Sequence, residues 1–287
     1  AKQFYIYLIF NNNLLMLSNN VKETIDEIRS ESISSGVDVN LCTRTPLCID
    51  DVLEAVKCLG ENRGYVIKTI LAVFLSTFLE KKDPVWLMIV GNPSSNKTTL
   101  VELLSPLSDV FKLDTMTSNP FSSGQREKEK PKDLLPLLNN KCFIIKEYGT
   151  IFGRSDEIVK QLISDFVAIY DGNYDKHSPT RGTIRYKVYF SHVGCVTPMA
   201  LSSRQGYMSA VGARYLFLRV DPLSEEEKHS SLNEIWQENS RLNKDEISKI
   251  VCDYCLQLKE KMRDGLEVTF SAEAKEKLNN LANLTAK

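Results

Sequence analysis

The stretch that most constrains this chain is Val85 to Leu100, VWLMIVGNPSSNKTTL, where an apolar run passes directly into a turn-rich segment and then an apolar-periodic one. Val85 to Val90 is short and uniformly apolar, the pattern of a strand buried on both faces, as in parallel sheets covered by helices. Gly91, Asn92, Pro93, Ser94 and Ser95 supply turn chemistry, and Lys97, Thr98 and Thr99 open a helix. The phosphate-binding loop pattern is a glycine, four residues, then Gly-Lys-Ser/Thr. Here Gly91 is followed after four residues by Asn96-Lys97-Thr98, so asparagine stands where the second glycine would be. Asparagine suits that place because it is several-fold enriched at positive φ among non-glycine residues. Such a loop aims backbone N–H groups at an anion beside a helix N-terminus. Lys97 is then expected to reach the outer phosphates of a nucleotide, and the Thr98 hydroxyl to ligate Mg²⁺.

Composition sets bounds on this reading. At 287 residues the chain suits roughly two domains at about 150 residues each. Hydrophobic residues make up 43% and charged residues 25%, an ordinary globular balance that argues against extended disorder. Lys and Arg total 36 against 37 Asp and Glu, so a nucleic-acid surface would have to be local. No uninterrupted apolar run reaches the roughly 18 residues of a membrane span, and a soluble, cytoplasmic protein without a membrane partner is expected. The run Phe4 to Phe10 gives way to Asn11-Asn12-Asn13 and not to a cleavage site. Seven cysteines fit a reducing compartment better than a disulfide framework. Cys252 and Cys255 form a CxxC within a helical apolar pattern, which reads as core packing. His177, His192 and His229 are scattered and make no ligand set.

Taken in order, residues 1–84 read as a helical annex, with helices at residues 20–34, Ile49 to Leu59 and Tyr65 to Leu79. Gln125 to Lys132 is a charged loop, and Asp133 to Leu138 a short helix broken by Pro136. Lys141 to Tyr148, KCFIIKEY, reads as a second buried strand with Glu147 at its C-terminal edge, where ligands of open α/β sheets bind. Ser155 to Tyr170 is a helix with Ser155 as N-cap, stopped by Gly172. Lys176 to Lys187 reads as a hairpin about Gly182 that carries Lys176, Arg181, Arg185 and Lys187 near Tyr186. That hairpin is either a contact for backbone phosphates of DNA or a solvated edge. Val188 to Val196 is a third buried strand ending in Thr197-Pro198, and Gly212 to Val220 a further one with Arg214 at its start. From Leu223 the chain is helical, at Ser224 to Asn239, Lys244 to Arg263 and from Ala272, and the last helix reads as cut short at Lys287.

Gly91's loop, the strand ending at Glu147, the one ending at Thr197 and Arg214 together resemble the Walker A, Walker B, sensor-1 and arginine elements of AAA+ ATPases. More narrowly, PSSNKTTL, DLLPLLNNK, IIKEYGTIF, IYDG, VTP and VGARYLFLRV resemble P-loop ATPases of phages and mobile elements. These are related in plan to minichromosome-maintenance and superfamily 3 helicases. The resemblance covers about residues 85–222. It implies an α/β P-loop NTPase (AAA+-like) with a parallel-sheet core, an N-terminal helical annex and, over 223–287, a C-terminal helical lid. It also implies ATP and Mg²⁺ held by Gly91 to Thr99, with Thr98 and Glu147 on the metal. Lys97, Glu147, Thr197 and Arg214 would be the catalytic set, the last serving its own or a neighbouring subunit of a homo-oligomeric ring that acts on DNA as a helicase-like motor or replication factor. Two departures stand out. Asn96 replaces a glycine, and the second motif lacks an Asp-Glu pair: either Tyr148 occupies the catalytic glutamate's place or Lys146 that of the metal-binding aspartate. Asp165 and Asp171 are the nearest spare acids. A nucleotide-binding switch or assembly module with little hydrolysis is the competing expectation, and a small-molecule kinase a third, for which no acceptor-site constellation is found.

Overall fold

Short apolar runs separated by helical patterns give an alternation of strand and helix, and a computed structural model shows where each falls. It describes residues 47–79, 83–117, 119–122, 133–179, 181–211, 214–225 and 244–263. The run Phe4 to Phe10, the helix at 20–34, the loop Gln125 to Lys132, most of the helix from Ser224 and the helix from Ala272 lie outside the described residues. The elements in chain order are α1 (Ile49–Val56), α2 (Gly64–Ser76), β1 (Trp86–Gly91), α3 (Lys97–Glu102), β2 (Val110–Leu113), α4 (Leu135–Leu138), β3 (Cys142–Ile145), α5 (Gly149–Phe152), α6 (Asp156–Tyr170), β4 (Tyr174–Ser178), β5 (Gly182–Tyr186), β6 (Ser191–Val196), α7 (Pro198–Ser202), α8 (Gln205–Val211), β7 (Tyr215–Val220) and α9 (Lys244–Arg263).

The chain is an α/β protein. Its five-stranded sheet has the order β2-β3-β6-β1-β7, and all neighbours pair parallel. Alternation along the strands sends side chains to two cores. Leu87, Ile89, Cys142, Ile144, Val193 and Cys195 face α1, α2, α3 and α9. Trp86, Met88, Phe143, Ile145, Val196 and Tyr215 face α4, α5, α6 and α8. Burying an aliphatic or aromatic side chain contributes roughly 1.5–3 kcal/mol, so both faces have to be covered. Ile247, Val251, Cys252, Tyr254, Cys255 and Leu258 of α9 belong to the first core, together with Ile67 and Leu71 of α2. The described parts of 1–84 and 223–287 thus share a core with the sheet. Cys252 donates to the carbonyl of Leu103 at 3.3 Å, which accords with core packing of the CxxC.

Several boundaries differ from expectation for identifiable reasons. Pro136 does not break its helix: it lies in the first turn, where a missing N–H costs nothing. The strand expected over Lys141 to Tyr148 ends at Ile145, and that expected over Val188 to Val196 starts at Ser191, although Val188 and Phe190 are also buried. Burial without pairing looks the same in a sequence as burial within a sheet. Gly60 closes the first helical segment at φ 130° and Gly172 ends α6 at φ 84°. Among the described residues no helix is long and apolar enough to cross a membrane.

Candidate functional site

Strand order does most of the positioning. Because β6 lies between β1 and β3, the C-terminal ends of these strands lie side by side, with Val90 level with Val196 and Ile145 level with Gly194. The segments leaving these three strands therefore meet: the loop after Gly91, Thr197 after β6, and Lys146-Glu147 after β3.

The loop from Asn92 to Asn96 owes its shape to two left-handed residues, Ser94 at φ 64° and Asn96 at φ 60°. Asn96 thus takes the conformation expected of a glycine substitute, and its C=O accepts from Leu100 N–H at 3.0 Å to start α3. Its side chain adds something a glycine could not, donating Nδ2–H to the carbonyl of Leu59 at 2.7 Å. Gly91 is needed for space: a Cβ there would stand 2.7 Å from Ser95 Oγ and 3.3 Å from Val220 Cβ. Ser95 Oγ is buried without a hydrogen-bond partner, the kind of polar atom that a bound anion or water would satisfy. Lys97 is only 5% exposed, and its ammonium donates to the Asn92 carbonyl at 3.3 Å, folded over the loop. Thr98 and Thr99 come next, half-buried. Their N–H groups, at the start of α3, have no carbonyl a turn earlier within the helix to bond.

Glu147 turns back to accept Gly149 N–H at 3.0 Å through Oε1. Cys195 is on β6 at this end, its Sγ 3.8 Å from the Lys97 carbonyl. Burial pushes its thiol up to about 12, while the Lys97 charge pulls it down and those of Glu147 and Glu102 push it further up. The lysine and both acids therefore act on one buried atom. Thr197 is the N-cap of α7, its hydroxyl accepting Ala200 N–H at 3.4 Å, a long bond that leaves lone-pair capacity.

Neither register of the second motif yields an acidic pair. Lys146 turns to Glu102 (3.2 Å) and Asp114 (2.7 Å), and Glu102 also pairs with Lys244 of α9. Hydrogen bonds to Asp114 and Glu102 raise the pKa of Lys146, so its charge is held in place. Tyr148 turns inward and is fully buried. The spare acids do not replace the missing one: Asp165 faces Lys176 at 4.0 Å, and Asp171 pairs with Arg214 at 3.0 Å.

Arg214 precedes β7, whose first residue Tyr215 is level with Trp86, the first of β1. Gly91 pairs with Val220 at the other end, so Arg214 is about six residues of strand, roughly 20 Å, from the loop of its own chain. That separation removes the expectation that it acts on its own site. It stacks over the Tyr170 ring at 5.8 Å.

The expected hairpin forms from β4 and β5, with Gly182 at φ 73° opposite Ser178. It does not present all four cations. Arg181 is held by both oxygens of Asp133 at 3.0 and 2.9 Å, with Tyr186 donating to the same carboxylate at 2.6 Å, so Arg181 is a structural residue and not a phosphate contact. Lys176 donates to Asn119 Oδ1 at 3.1 Å, again toward the body. Arg185 and Lys187 are exposed, and Arg185 is 3.8 Å from Asp175 across the hairpin.

The sequence reading missed the Asn96–Leu59 bond, for which no local pattern exists, and the Lys146–Glu102–Asp114 group. A lysine directly after an apolar strand was a signal for the latter, since it must find acids on neighbouring elements. No protein-family model matches the chain, and no curated protein matches it, so the site stands on its own geometry.

Proposed function

We propose that this chain is a P-loop ATPase of the AAA+ type. The observation that carries the proposal is the meeting of Lys97, in a loop with Asn96 in the left-handed region, with Glu147 and Thr197 beyond three adjacent parallel strands. Backbone N–H groups and Lys97 would hold the phosphates, and breaking the Lys97–Asn92 contact frees the ammonium for them. Mg²⁺, held by the Thr98 hydroxyl and Glu147, would neutralise charge on the outer phosphate oxygens. Glu147 and Thr197 would orient a water by hydrogen bonds. The fit of the residues to the metal is lean: Thr98 and one carboxylate, with Lys146 where a second acid would help.

We propose further that the protein acts on DNA as a helicase-like motor or replication factor within a homo-oligomeric ring. Arg214 lies away from its own loop, as an arginine serving a neighbour would, and the hairpin offers Arg185 and Lys187 outward. The second reading is a nucleotide-binding switch or assembly module that hydrolyses little. Lys146 in its ion pairs and Tyr148 in the core favour that reading.

Steady-state ATP hydrolysis with and without single- and double-stranded DNA, on wild-type, Lys97→Ala and Glu147→Gln proteins, separates them. DNA-stimulated turnover lost in both variants is the expected result, with a fall of about 100-fold or more for loss of transition-state electrostatics. Turnover unchanged in Lys97→Ala sinks the site assignment. Tight ATP binding without turnover selects the switch.

A further inference from the structure

A histidine inside a buried strand must find partners for both ring nitrogens, because an unpaired buried polar group costs about 1–3 kcal/mol. His192, fully buried on β6, finds them across the sheet. Its Nδ1 is 2.8 Å from the Phe143 carbonyl, which can only accept, so Nδ1 carries the proton and Nε2 is an acceptor. The Tyr148 hydroxyl, 2.6 Å from Nε2, is therefore the donor there. Having used its only proton, its oxygen accepts from Tyr215 OH at 3.0 Å. The chain has one direction, Tyr215 to Tyr148 to His192 to Phe143. Burial lowers the His192 pKa to about 3, so the ring stays neutral and that direction holds near neutral pH.

Packing fixes the chain as firmly as its hydrogen bonds. The Tyr148 ring crosses β6 where Gly194 has no side chain: a Cβ there would be 2.3 Å from Cε2 and 2.8 Å from Cδ2. Tyr148 N–H donates to the Cys195 carbonyl at 2.8 Å. Trp86 packs against His192 and Tyr215, with ring centroids at 5.8 and 5.4 Å. The two tyrosines adjoin residues of the candidate site. Tyr148 directly follows Glu147, and Tyr215 directly follows Arg214.

We propose that Tyr215, Tyr148 and His192 are positioning residues for the ATPase reaction, one hydrogen-bonded unit that holds Glu147 at the loop end of the sheet in register with Arg214 at the other. This rests on the ATPase reading above. Phenylalanine and leucine would fill the same space without polar atoms to satisfy, so the unit's distinct contribution is geometric. It touches neither nucleotide nor water and acts through the residues it adjoins.

The test uses the full chain and compares ATP turnover and nucleotide affinity in wild-type, Tyr215→Phe, Tyr148→Phe, Lys97→Ala and Ile163→Val proteins. Tyr215→Phe removes the outermost donor and leaves Tyr148 bonded to His192, so it should fold. Its kcat should fall about tenfold with KM for ATP and nucleotide affinity within about twofold, because Glu147 loses the alignment that its transition-state contacts need. Tyr148→Phe, which strands His192 Nε2, should fall further. Ile163→Val, an ordinary core deletion on α6, should lower Tm and leave kcat unchanged. Wild-type kcat in Tyr215→Phe, or a loss matched by Ile163→Val at equal Tm, overturns the positioning role alone. Absence of Lys97-dependent turnover in the wild type overturns the ATPase reading, and this role with it.

Discussion

Asn96 does two jobs that a glycine divides differently. Its backbone sits at φ 60°, which starts α3 after the tight loop, and its amide ties that loop to the carbonyl of Leu59. The first job was legible in the sequence, since asparagine is the side chain most tolerant of that region. The second was not, because nothing local marks Leu59 as its partner from 37 residues away. Asn96→Gly should therefore keep the loop's shape and lose one hydrogen bond, lowering stability by about 1 kcal/mol with nucleotide affinity within a fewfold of wild type. Asn96→Val, a β-branched residue at positive φ, should lose measurable binding. Calorimetric titration with a non-hydrolysable ATP analogue, paired with thermal melts, distinguishes the jobs. Equal affinity in Asn96→Val would mean that the left-handed backbone does not matter to binding.

Among the elements, the hairpin and β3 show where sequence patterns stop. Gly182 between two extended pieces of Lys176 to Lys187 was enough to place the hairpin, but not to say which cations face outward. Arg181 and Arg185 look alike in the sequence, yet their side chains are 9% and 77% exposed, because Asp133 waits beneath one of them. Arg181→Ala should cost about 3 kcal/mol or more by leaving the Asp133 carboxylate buried without its cation. Arg185→Ala should leave stability within about 0.5 kcal/mol and reduce DNA binding and its salt dependence. Denaturant melts and salt-titrated DNA affinity would show the split. The end of β3 failed for a related reason: apolar Tyr148 reads as one more strand residue, and only the tertiary fold turns it toward His192. The histidine was the missed signal, for a polar ring within SHVGCV demands partners that an apolar neighbourhood does not supply.

For the whole molecule, strands β1, β3, β6 and β7 and the loop at Gly91 were legible because apolar runs and turn residues report on local geometry. The order of the strands was not, and it is the order that puts Thr197 between Gly91 and Glu147. Global stability should carry the mark of His192. Its pKa is lowered to about 3 in the folded chain from about 6.5 unfolded, so below about pH 6.5 the unfolded chain takes up a proton that the native chain refuses. Stability from this group is complete above that pH and should fall by roughly 1.4 kcal/mol per pH unit down to about pH 3. Between pH 7 and 5 the wild type should lose about 2 kcal/mol more than His192→Gln, read from denaturant midpoints. Parallel slopes would mean that His192 is not held neutral.

The parallel sheet also gives the molecule two unlike poles, the lysine at one and Arg214 at the other. If a working site needs both, neighbours must stand head to tail, the heterologous arrangement that closes into rings. Two crippled proteins would then mend each other. A Lys97→Ala subunit still lends its arginine, and an Arg214→Ala subunit still holds nucleotide. An equal mixture of the two should regain activity at about a quarter of its interfaces, given random neighbours. Mixing that restores nothing would place the arginine's work within one chain or nowhere in the reaction.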